Sequence, residues 1–158
     1  MKEQDKRLLL LAIGVCLFLA AVDQTIISTA LPSILGQIGT IKDISLIINS
    51  YLVASVTFGP IYGKLSDVFG RRIILIFAIF FFLLGTTLAA FGNSPIELAG
   101  ARFIQGIGGG GLFVLAFTIA SDLAAPRNRG KIQGLFASVF GLASISGPLV
   151  GGFILEYF

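Results

Sequence analysis

Apolar residues along this chain come in five long runs, 8–31, 44–62, 73–91, 98–121 and 132–155, separated by short polar breaks. Each run is close to the ~20 residues that carry an α-helix across ~30 Å of hydrocarbon. The pattern predicts five membrane-spanning helices and no strand. The breaks at 32–43, 63–72, 92–97 and 122–131 are short, so consecutive helices are expected to run antiparallel as hairpins with no soluble domain between them. Of the 19 charged residues, 17 fall outside the runs, and only Asp23 and Arg102 lie inside. A bilayer imposes that partition, because a charge in hydrocarbon is expensive.

Composition sharpens the picture. The 158 residues are 56% hydrophobic and 12% charged, with mean hydropathy +0.98, against the ~25% charged residues of an ordinary soluble domain. Too few polar side chains exist to cover such a domain in water. With no His, histidine catalysis and histidine metal ligation are excluded, and the lone Cys16 forms neither an internal disulfide nor a zinc cage. The net charge of +3 and pI near 9.3 raise the question of nucleic acid. The basic residues, however, sit in short clusters between apolar runs, so the expected partner is the lipid bilayer and no nucleic acid.

Those clusters also set direction. Lys2, Lys6, Arg7, Lys64, Arg71, Arg72, Arg127, Arg129 and Lys131 fall on one side and Lys42 alone on the other, which places the N-terminus in the cytoplasm of a plasma or inner membrane. The first run is too long for a signal-peptide core and carries Asp23, so it is expected to be retained. Five crossings leave Phe158 on the outer side, and the chain reads as truncated after its fifth helix.

A few residues ask for more than burial. Asp23 lies some fifteen residues into the first run, roughly 22 Å from its cytoplasmic start, where an ionisable group must be paired, protonated or wetted. Such a carboxylate is a candidate proton carrier; the plainer reading is a static ion pair or a hydrogen-bonded structural aspartate. Arg102, in the same half of the bilayer, is its natural partner, unless it snorkels to the outer headgroups; Gln105, at i+3, shares its face. Arg102 cannot give up a proton, so it tunes or holds a neighbour. The run from Gly106 to Gly111 fits a GxGxxG pattern but follows no strand, so glycines that admit a neighbouring helix are the reading. The 63–72 break joins Gly63 and Gly70, for a tight turn, to Asp67, placed to cap the next helix, and to Arg71 and Arg72. In the fifth run, Gly147-Pro148 followed by Gly151-Gly152 predicts a thin, kinked helix packed on another.

Together these motifs resemble the N-terminal half of a major facilitator superfamily transporter, and in detail the fourteen-helix drug:proton antiporter family. The stretch from Asp23 to Pro32 is similar to that branch's first-helix motif. Gly63, Asp67, Gly70, Arg71 and Arg72 are similar to the cytoplasmic signature between helices two and three, with Val68 where the family has a base. Leu98, Arg102, Gln105, Gly106 and Gly108 resemble the fourth-helix motif, whose arginine the resemblance implicates in proton transfer. Gly134, Gly147, Pro148, Gly151 and Gly152 resemble the fifth-helix antiporter motif, with Ala143 in place of Gly. Pro126, Arg129 and Gly130 resemble the following cytoplasmic loop, where Arg129 meets the neighbouring charged loop.

The resemblance implies an all-α integral membrane fold: residues 1–158 form a partial N-terminal bundle, and substrate binds between two halves near the midplane. It implies a proton-coupled exporter of amphipathic, cationic compounds, using protons as coupling ion and no cofactor. Asp23 and Arg102 would couple protons. Gln105, Gly106, Gly147, Pro148, Gly151 and Gly152 would form pocket and helix packing. Gly63, Asp67, Gly70, Arg71, Arg72 and Arg129 would gate the cytoplasmic side, and the C-terminal half would complete the pocket. The alternatives are a facilitator or symporter for another small solute, and a membrane fragment or scaffold that transports nothing. No nucleophile–base pair, metal cluster or phosphate loop stands in a context that predicts an enzyme.

Overall fold

A computed structural model describes residues 3–35, 40–123 and 126–157, with side chains from 8 to 153 apart from 28, 30–35, 41, 126 and 129. Among them the fold is all-α: α1 (Glu3–Leu35), α2 (Ile41–Phe69), α3 (Arg71–Ala90), α4 (Pro95–Leu123) and α5 (Arg129–Tyr157), the last entered through a 3-10 turn at Pro126–Asn128. All five helices contain a stretch long and apolar enough to cross a membrane. Each predicted run lies inside one helix, except that Phe91 caps α3 from outside. The helices overrun the predicted ends, most of all α2, which continues past Tyr62 to Phe69.

That overrun corrects the reading of the 63–72 break. Gly63 and Asp67 are helical residues of α2, and the connection to α3 is Gly70 alone. Residues 64–69 contain no glycine or proline, so nothing stops the helix before Gly70. Gly70 adopts φ +91°, the one positive φ among the described residues, a conformation that a side chain strongly disfavours. Its N–H donates to the Ser66 carbonyl at 3.1 Å, closing α2, while its own carbonyl accepts from the Ile74 N–H at 3.4 Å, opening α3.

The chain divides into two compact units, Met1–Thr29 with Ala116–Phe158, and Ala30–Leu115. In the second, α3 buries one stripe, Ile74, Ala78, Phe82 and Gly85, at helical spacing, while Ile76, Phe77, Phe80, Leu83 and Leu88 remain exposed. The helix is thus apolar all round while burying one stripe, the pattern of a membrane-spanning segment. The glycine run of α4 supplies two opposite faces. Cβ atoms on Gly106 or Gly110 would strike the α2 backbone at Tyr51 and Ser55, and one on Gly108 would strike the α3 backbone at Phe82. The glycines thus let both neighbours approach to backbone contact, as small residues do where no hydrophobic force draws helices together.

In the first unit Phe136 is almost fully buried, its ring edge-on to Phe117 with centroids 5.9 Å apart, and Gly14 lies beneath it. Further along, Gly147 of α5 is closed against Thr25 of α1, and Gly151 rests on Ile26 and Thr29. The Thr25 hydroxyl lies 3.2 Å from the Ala143 carbonyl across the pair and 3.0–3.1 Å from the Ala21 and Val22 carbonyls of its own helix. α2 and α5 are each 29 residues long, and each has proline at its twentieth position behind a glycine, Gly59-Pro60 and Gly147-Pro148. Both stay helical through it, so the expected kink in α5 does not break the helix.

Candidate functional site

The second unit holds a charged group almost sealed from solvent. Arg102 is 3% exposed and Gln105 0%, one turn apart on the same face of α4. The Arg102 Nη1 donates to Gln105 Oε1. Gln105 Nε2 donates to Thr86 Oγ1 of α3 at 2.8 Å, and that hydroxyl donates to the Phe82 carbonyl at 2.9 Å. Gly85 makes the reach possible, because a Cβ there would collide with the Gln105 backbone. From α2, the Tyr51 ring lies under the guanidinium, its centroid 4.6 Å from Cζ.

This chain of donors has one direction. Arginine offers only N–H groups, so the amide must turn its oxygen to Arg102 and its nitrogen to Thr86, and the hydroxyl must pass its own hydrogen to a carbonyl. No atom in it gives up a proton at ordinary pH. The arrangement fixes a permanent positive charge inside an apolar helix trio, where low polarity extends its reach.

Asp23 is half-buried in α1 of the first unit, two residues before the Thr25 that meets α5. At the α2–α3 tip, Arg71 donates from Nη1 to Ser66 Oγ at 2.8 Å and pairs through Nη2 with Asp67 at 3.0 Å. The Ser66 hydroxyl in turn donates to the Gly63 carbonyl at 2.7 Å. Arg72 is exposed, and the side chain of Arg129 lies outside the described residues. Among the described residues no three His, Cys, Asp or Glu side chains gather where a metal ion could sit.

The model of one transporter family, the Major Facilitator Superfamily, matches residues 13–158. The chain belongs to the Major Facilitator Superfamily. With five helices fit to span a bilayer, this superfamily member is a multi-pass membrane protein. It is 40% identical over 155 residues to Multidrug resistance protein 3 of Bacillus subtilis (strain 168), covering 98% of this chain and 30% of that protein. It is 37% identical over 155 residues to the Multidrug transporter protein MdtP of the same organism, covering 98% and 29%. Against the MFS-type efflux pump LUC4 of Fusarium sp the identity is 36% over 145 residues, covering 92% and 26%. The chain spans about 30% or less of the length of these superfamily relatives.

Within this member of the superfamily, the structure brings Arg102 and Gln105 together and places Gly106 against α2. Asp23 belongs to the other unit. Gly147 and Gly151 face α1, whereas Pro148 and Gly152 are exposed. Asp67 and Arg71 pair across the Gly70 break, with Asp67 in the last turn of α2 rather than at the cap of α3. Sequence reasoning missed Tyr51, Gly85, Thr86 and Ser66. Gly85-Thr86-Thr87, a small and polar interruption in the most phenylalanine-rich run, was the available signal for the α3 side; for Tyr51 there was none.

Proposed function

We propose that this protein is a proton-coupled multidrug efflux antiporter of the fourteen-helix branch, exporting amphipathic, cationic compounds across the cell membrane with its N-terminus in the cytoplasm. The observation that carries the reading is the sealed Arg102 charge, held by three helices in a segment built to cross a bilayer. A buried intramembrane charge of this kind is expensive and marks ion or substrate pathways. The names of the bacterial relatives, a multidrug resistance protein and a multidrug transporter, support drugs as the solute. The distribution of Lys and Arg supports the orientation.

In this reading Asp23 loads a proton from outside and releases it inward, while Arg102 is the fixed charge of the coupling machinery. Protonation shifts the balance between outward- and inward-facing arrangements, because each state binds the proton differently. The Asp67–Arg71–Ser66 tip, with Arg129, holds the cytoplasmic side in one of them. The protein carries its solute unchanged and needs no cofactor. In the full-length protein Asp23→Asn abolishes efflux driven by a proton gradient while membrane expression stays intact. Undiminished efflux in that variant, or wild-type efflux that persists against a gradient after an uncoupler, removes the antiport reading.

A further inference from the structure

The Tyr51 ring does more than fill space in the second unit. Tyr51 is 2% exposed, and its face carries a guanidinium that is itself withdrawn from solvent. Such a cation–π contact is strongest when desolvated, and it ties the position of the guanidinium to that of the ring. The ring has a built seat. A Cβ on Gly109 would collide with the Tyr51 hydroxyl oxygen and come within 2.9 Å of Cζ and 3.2 Å of Cε2. One turn earlier, Gly106 lets the Tyr51 backbone come against α4. Gly106 therefore sets the helix spacing, Gly109 seats the ring, and the ring meets the guanidinium from the α2 side. Gln105, braced by Thr86, holds it by Nη1.

We propose that Tyr51, seated on Gly109, is the positioning residue for Arg102: it fixes where the buried positive charge sits and thereby the pH range over which efflux runs. An arginine does not titrate, so its influence on a proton carrier comes from the placement of its field, which is strong in a low-dielectric interior. The proposal rests on the antiport reading of Arg102 given above. It adds a residue that touches neither proton nor solute.

The test uses the full-length protein in proteoliposomes with Tyr51→Leu, Tyr51→Phe and Gly109→Ala, measuring initial efflux from about pH 5 to about pH 9. Phenylglyoxal modification of Arg102, read by mass spectrometry, follows its placement without reference to transport. Tyr51→Leu and Gly109→Ala are expected to move the midpoint of the pH profile by about one unit, to leave the drug KM within about twofold, and to raise Arg102 labelling about tenfold. Tyr51→Phe keeps the ring and restores both the profile and the protection. A wild-type profile with Arg102 still protected in Tyr51→Leu overturns the proposal, as does a Tyr51→Phe protein as impaired as Tyr51→Leu. Should Tyr51→Leu fail to reach the membrane, Gly109→Ala decides in the same two readouts. If Asp23→Asn leaves proton-driven efflux intact, the antiport reading falls by itself. The labelling then still decides whether the ring positions Arg102.

Discussion

Gly108→Ala puts the backbone contact between α3 and α4 to a quantitative test. The added Cβ would meet the Phe82 backbone nitrogen, with the Ala78 carbonyl oxygen at 2.5 Å and the Phe82 Cα at 2.7 Å. Backbone atoms cannot swing aside, so ordinary contact near 3.5 Å returns only if the two helices part by about 1 Å. Overpacking of that kind costs about 1–3 kcal/mol. The same displacement stretches the 2.8 Å bond from Gln105 to Thr86 beyond hydrogen-bond range and leaves a buried amide unmatched, a further loss of about 1–3 kcal/mol. Against this stands a helix-propensity gain of at most about 1 kcal/mol for replacing glycine. The expected net loss is therefore about 1–6 kcal/mol. Gly100→Ala is the reference: it lies in the same helix with nothing within 4 Å of the new methyl. Thermal unfolding of both variants in detergent, followed by retention of the monodisperse peak, measures the difference. A Gly108→Ala protein as stable as Gly100→Ala would refute the close packing described here.

Three further outcomes follow from local geometry. Thr86→Val removes the acceptor for the Gln105 amide while keeping side-chain volume, and is expected to cost about 1–3 kcal/mol in the same melting assay, with Thr86→Ser retaining most of the stability. Gly70→Ala meets no atom within 4 Å, so its expected loss of about 1–3 kcal/mol is conformational alone; Gly70→Asn should lose as much, because ψ 142° lies outside the left-handed helical region that asparagine tolerates, and wild-type stability of either variant contradicts the account. Asp67→Asn breaks an ion pair whose side chains are 31% and 65% exposed, so the melting temperature should move by less than about 1 kcal/mol equivalent, and any large fall in efflux measured alongside is then a conformational effect rather than misfolding.

The order of the helices was legible, though not their ends, because hydrocarbon demands long apolar runs and excludes charge, which leaves an unusually clear trace in sequence. The shared face of Arg102 and Gln105 was legible too, since residues three apart on a helix are neighbours, but the expected partner of Arg102 was Asp23 and the hydrogen bond to Gln105 was not foreseen. Gly63 was misread for a reason that a single sequence hides. Glycine serves equally as a turn and as a contact, and only the structure shows Gly63 packed on Val114 while Gly70 alone makes the turn. Tyr51 was illegible as part of the site, and Thr86 showed only as a polar interruption without a partner to assign, because their partners lie far along the chain. Which residue of α2 or α3 meets Arg102 depends on helix spacing and rotation, which the glycines of α4 set and hydropathy does not record.

The glycine-rich middle of α4 also bears on how the protein enters its membrane. The segment that carries Arg102 and a run of four glycines, Gly108 to Gly111, is as apolar as α2 and α5, yet 61% of its span is buried against 22% for each of the other helices. The arginine, eight residues into α4, opposes insertion by less than the about 2.5–3.5 kcal/mol of a helix centre. α3, by contrast, has no charge after Arg72, and it leads straight into α4 through residues 91–94. The stripe that receives Gly108 and Gln105 is thus synthesised first and is already apolar enough to hold its place. α4 therefore finds its packing surface already made, and a substitution at Gly85 should show itself first as a loss of the packing of α4 on α3.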